Sequence, residues 1–120
     1  MLNDAVCFKQ VYIVTGYTDL RYGIDSLAAV IETKLGRTPC VPDTLYLFCG
    51  RRCDRIKGLV WENDGYLLLY KRLENSGFQW PRSESEVKAL TQKQFRWLME
   101  GLSIAPKRAI RDVPPPEKTA

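Results

Sequence analysis

Histidine is absent from the 120 residues. That removes a histidine general base, a Ser-His-Asp triad and any histidine-ligated metal. No apolar run approaches the roughly 18 residues that a membrane span needs. Met1-Leu2-Asn3-Asp4 carries neither a basic stretch nor an apolar core, so no secretory leader is expected. A glycine-rich phosphate loop is also missing. Paired carboxylates are scarce. Asp19 and Asp25 lie six apart and do not share a helix face, and Asp54 and Asp64 stand alone. A metal-dependent nuclease is therefore the weakest of the functional readings, with Asp54→Asn as its test.

Cysteine is sparse, at four residues. Cys49 and Cys53 flank Gly50-Arg51-Arg52, where two guanidiniums could lower a thiol pKa. A zinc site would need two further ligands, and Cys7 and Cys40 have no paired spacing. The expectation is reduced, fairly buried thiols, with no metal and no cofactor. Together these absences point to a protein of the cytoplasm, associated with the nucleoid if it binds DNA.

Positive charge is present but local. The formal net charge is only +4, yet residues 51–82 hold seven Lys/Arg against four Asp/Glu. The length suits one domain, expected over 1–105, followed by a basic, Pro-rich and disordered tail at 106–120.

Along the chain, Val11-Tyr12-Ile13-Val14 reads as a strand. Leu20, Ile24, Leu27, Ala28, Ile31 and Leu35 recur at helical spacing and predict a helix over 19–35. Thr18 would cap it, Asp19 would suit its first turn, Arg21 would pair with Asp25, and Gly36 would stop it. Thr44–Cys49 is apolar on both faces and reads as a central strand. Arg55–Trp61 and Tyr66–Arg72 form a hairpin across Glu62-Asn63-Asp64-Gly65. A turn at Asn75-Ser76-Gly77 leads into Phe78-Gln79-Trp80, a candidate further strand. Residues 82–90 stay open between loop and short element. Thr91 and Gln94 form a capping box for a last helix over 92–102. The expected fold class is α+β: a small antiparallel meander with both helices packed on one face.

Alternation along the hairpin sets its chemistry. An even-length loop pairs Trp61 with Tyr66, Lys57 with Tyr70 and Arg55 with Arg72. Arg55, Lys57, Trp61, Tyr66, Tyr70 and Arg72 then share one face, while Ile56, Val60, Leu67, Leu69 and Leu73 share the other with Lys71. Arginine neutralises phosphate and aromatic rings stack on bases, so the first face reads as a nucleic-acid platform. The alternative is a sheet whose aromatics pack under a helix, with its basic residues merely solvated. Arg51, Arg52, Arg55 and Lys57 form the densest basic run.

Four blocks carry a family resemblance. Thr18–Ala28 resembles the "TDxRxGIDGLA" block of the TnpB, or second-reading-frame-like, proteins of the insertion sequence sixty-six family. Leu47–Lys57 resembles "FxFxNRRxDRIKxL". Lys71–Glu74 with Gly77–Pro81 fits "KRLExGxFxWP", and Leu98–Leu102 fits "LLxGL". Ser26, Tyr22, Gly50 and Cys53 depart from the usual residues. The resemblance implies a non-enzymatic accessory protein of transposition, encoded beside a larger transposase. It implies partnership with DNA at the element ends, with the transposase, or with both. Arg51, Arg52, Arg55, Lys57 and Arg72 would make the contacts, with Trp61, Tyr66 and Tyr70 as stacking surfaces. The rival class is an interaction module that touches only partner proteins through the same residues.

Overall fold

Thr44–Cys49 (β2) is buried at every residue, because it runs through the middle of a five-stranded sheet. The computed structural model describes residues 1–83 and 89–104. Strand β1 (Gln10–Ile13) pairs with β2 in parallel, from Gln10 opposite Thr44 to Ile13 opposite Leu47. Strands β3 (Arg55–Trp61) and β4 (Tyr66–Arg72) follow antiparallel on the other side, and β5 (Ala89–Leu90) closes the far edge against β1. The strand order is β4-β3-β2-β1-β5.

The fold class is α+β, with two departures from the sequence reading. The sheet is mixed, because the chain between β1 and β2 runs through a helix, and such a crossover lets the two strands lie parallel. The helices also sit on opposite faces. Helix α1 (Ile24–Val30), prolonged by a π-helical turn at Ile31–Leu35, packs Leu27 and Ile31 against Val14, Tyr46, Phe48 and Leu59. Helix α2 (Gln92–Met99) packs Phe95, Leu98 and Met99 against Leu45, Leu47, Ile56 and Val60. Successive residues of β2 point to opposite faces, so its two-sided apolar character serves both layers. Burying Phe48 or Phe95 completely contributes about 2–3 kcal/mol each. Exposed ion pairs contribute about 0–1 kcal/mol. The two layers, not the surface charges, hold the sheet.

Local signals decide the element ends. The Thr91–Gln94 capping box is present, with both reciprocal hydrogen bonds, and α2 stops at Met99 rather than at 102. Gly36 takes a left-handed conformation (φ 62°) and ends the helical run as expected. The start of α1 differs. Thr18 N–H is already bonded to the Cys49 carbonyl, and Asp19 accepts from the Arg21 N–H, so 18–22 form a turn and the helix opens at Ile24 behind Gly23. Arg21 accordingly pairs with Asp19 and not with Asp25. Phe78 and Trp80 form no strand; both are buried and plug the α2 layer. The extra strand is β5, inside the segment that the sequence left open. The tail expected from 106 lies outside the described residues. Among the described residues, no helix is long and apolar enough to cross a membrane.

Candidate nucleic-acid interface

The turn between β2 and β3, residues 50–54, is built by its backbone. Gly50 N–H donates to the Arg55 carbonyl and Cys53 N–H to the Gly50 carbonyl, with Cys53 in a left-handed conformation (φ 57°). A side chain at position 50 would meet Leu20 Cδ1 at 3.2 Å, so glycine lets the turn close against the loop before α1. Three further hydrogen bonds clamp the turn from outside. Thr18 N–H donates to Cys49 O at 2.8 Å, Leu73 N–H to Asp54 O at 2.6 Å, and Phe78 N–H to Cys53 O at 2.6 Å. The first three sequence blocks meet here, and Gln79 Nε2 ties the fourth through the Gly101 carbonyl at 3.2 Å.

Beside this turn lies an open cleft of about 590 Å³. Residues 17–21 form one side, Gly50, Arg51 and Arg52 another, and Arg55 and Tyr70 complete it. Among the described residues, four arginines therefore converge on a recess with one lining carboxylate, Asp19. Two of the four are locally neutralised. Arg21 grips Asp19 through Nε and Nη2 at 2.7–3.2 Å, and those hydrogen bonds hold the Asp19 carboxyl at about 2. Arg55 bonds Asp54 at 3.1 Å, which keeps its guanidinium firmly charged and Asp54 below the usual carboxylate range; Tyr70 adds to the hold on Arg55. Arg51 and Arg52 are exposed, and their side chains make no hydrogen bond or ion pair among the described residues.

Of the eight residues singled out in the sequence, Arg51, Arg52, Arg55 and Tyr70 come together in the cleft. The other four do not line it. The hairpin register is as expected, yet its aromatic end lies on the α1 side. Trp61 and Tyr66 meet edge to face at 5.0 Å, and the Tyr66 hydroxyl touches Cys40 Sγ at 3.1 Å. Lys57 Nζ donates to the Tyr22 carbonyl at 2.9 Å, and Arg72 pairs with Glu74 at 3.0 Å. Tyr17 and Arg21 line the cleft without having been singled out as contacts. Both lie in or beside the first sequence block, and that block was the signal that pointed to them.

Chemically the cleft suits an anion better than it suits acid–base or metal chemistry. Asp19, held at about 2 and engaged by Arg21, makes a poor general base at neutral pH. Cys49 is buried, and burial pushes its thiol upward, against the lowering that nearby arginines suggested. Cys7 and Cys40 are exposed, contrary to the expected burial. No three Cys, Asp or Glu side chains among the described residues gather as a metal site.

The chain matches the family described as IS66 Orf2 like protein over residues 9–109. Among curated proteins it is similar to the uncharacterised protein y4hO of Sinorhizobium fredii, with 33% identity over 78% of this chain and 80% of that protein. It is also similar to the uncharacterised protein y4jC of the same organism, with 28% identity over 78% and 79% of the two chains. No solved structure matches it. With three sequence blocks meeting at one arginine turn, the fourth tied to them through Gln79, and the family match spanning most of its length, the chain belongs to the IS66 Orf2-like family, whose role is that of an accessory to transposition.

Proposed function

We propose that the protein binds DNA during transposition of its insertion sequence, holding backbone phosphates with Arg51, Arg52 and Arg55 in the cleft. One observation carries this reading. Arg51 and Arg52 project, unpaired among the described residues, from a turn fixed by backbone hydrogen bonds from three other segments. A guanidinium on a rigid turn loses little backbone freedom on binding, and its planar fork suits two phosphate oxygens. Lys57 and Arg72, already engaged with Tyr22 and Glu74, serve the rim. Trp61 and Tyr66 pack against each other rather than against bases. The role is non-catalytic, and Asp54 serves as the partner of Arg55.

The test is a titration of labelled element-end duplex and scrambled duplex at two salt concentrations. Arg51→Ala/Arg52→Ala is expected to melt like wild type, to bind more weakly, and to lower the salt slope by about two. A folded double variant with unchanged affinity and slope would refute the site. Adding Arg55→Ala should weaken binding further. It also frees Asp54, so its fold must be checked by melting.

A protein contact is favoured by a separate surface. Strand β4 is a sheet edge with Leu67 39% exposed, and beside it Leu2, Leu47, Ile56 and Leu69 line a groove of about 300 Å³. An edge that pairs with no other strand among the described residues, beside an apolar groove, suits a partner chain, here the transposase of the same element. Pull-down of that transposase after nuclease treatment, lost on Leu67→Asp, tests it. Retention by the Leu67→Asp variant rejects this edge.

A further inference from the structure

The cleft has a property that duplex binding does not use. Tyr17 and Tyr70, 40% and 54% exposed, both line it beside the arginines. In a duplex the bases are stacked inside a convex rod, and their faces are closed to side chains. A reader of duplex sequence instead projects a helix or a β-ribbon into a groove. Here the arginines surround a recess, whose 590 Å³ falls within the range of pockets that hold small molecules. Exposed aromatic rings beside a basic track are how proteins hold unpaired strands, with bases on the rings and phosphates on the cations.

We propose that the ligand of this cleft is an unpaired stretch of DNA, with one or two bases laid on Tyr17 and Tyr70 and the adjoining phosphates on Arg51 and Arg52. This rests on the phosphate-binding reading above. Tyr70 lies beside Arg55 in the lining and favours its charged form, so ring and hydroxyl are tested separately. The ring carries the base. Arg21, tied to Asp19, lines the same side of the cleft as Tyr17. Trp61 and Tyr66, the other aromatics of the hairpin's charged face, meet each other edge to face outside the cleft and do not line it.

Fluorescence anisotropy of the full chain at one salt concentration tests the assignment. The probes are a labelled oligothymidylate, an abasic strand of equal length, oligouridylate of equal length, and a blunt duplex. Oligothymidylate is expected to bind more tightly than the abasic strand and the duplex. Tyr17→Ala and Tyr70→Ala should each weaken it by roughly 5- to 150-fold, the value of stacking one base, bringing it toward the level of the abasic strand. Tyr70→Phe, which keeps the ring, should retain most of the affinity. If the tyrosine variants stay folded and bind as wild type does, or if duplex binds best, while Arg51→Ala/Arg52→Ala weakens every probe, the unpaired-strand assignment falls and phosphate binding stands. If the arginine variant weakens none, the phosphate reading falls and takes this one with it. Tighter binding of oligouridylate would overturn DNA as the ligand in favour of RNA.

Discussion

The Trp80 indole N–H donates to the Val14 carbonyl oxygen at 2.9 Å, across 66 positions of sequence and inside the core. This bond fastens the segment after β4 to the end of β1. Phe78 N–H in the same segment clamps the arginine turn. Trp80 thus supports the cleft from behind without lining it.

Trp80→Phe keeps most of the apolar area but leaves the Val14 carbonyl unsatisfied. The expected loss is about 1–3 kcal/mol. For a domain near 100 residues each 1 kcal/mol lowers Tm by about 4–8 °C. Thermal melting followed by circular dichroism reads it. An unchanged Tm would mean that packing alone anchors the segment.

Asp19 responds to acid in a defined direction. Its folded value of about 2 lies below its ordinary 3.8, so its contribution to stability is complete above about pH 4 and is lost as pH falls through about 2. Because the pair is exposed, the effect is small. The stability difference between wild type and Asp19→Asn should stay constant from neutral pH to about pH 5 and then shrink below about pH 4. At neutral pH the same variant removes the only lining carboxylate among the described residues and releases Arg21, so DNA affinity should rise. Weaker binding by a folded Asp19→Asn protein would mean that Asp19 orients Arg21 for the ligand.

Gly58 sits in β3, where an added Cβ would lie 3.0 Å from Leu45 Cδ1. Leu45 is fully buried in the central strand and has little room to yield. Gly58→Ala is expected to cost about 1–3 kcal/mol by overpacking. Urea unfolding should show a lower midpoint with an unchanged slope.

Trp61→Ala separates packing from recognition. Loss of a half-buried aromatic that contacts Tyr66 should cost about 2 kcal/mol of stability and leave DNA affinity within about twofold. A folded variant with much weaker DNA binding would return Trp61 to the contact surface.

Alternation alone made the hairpin legible. An even loop with Asp-Gly admits one side-chain phase, and all seven cross-strand pairs follow from it. The capping box at Thr91 and the left-handed stop at Gly36 are equally local, since each needs only backbone geometry within one turn. The start of α1 was misread because an Asp bonding a backbone N–H two residues on has the same composition as a helix cap. What separates the two is the bond from Thr18 N–H to Cys49, a contact between distant segments.

The sequence by itself determined the α+β class, the hairpin and its register, the density of arginine at 51–55, and the absence of histidine chemistry. Composition, period and turn residues act within a few positions, so they can be read from one chain. Tertiary structure alone decided that β1 lies parallel to β2 and that the helices take opposite faces. It also decided which half of the hairpin's charged face α1 would cover. Those choices depend on how distant apolar faces bury one another. They put Trp61 and Tyr66 into packing, and they assembled Arg21, Tyr17 and Tyr70 around the arginine turn.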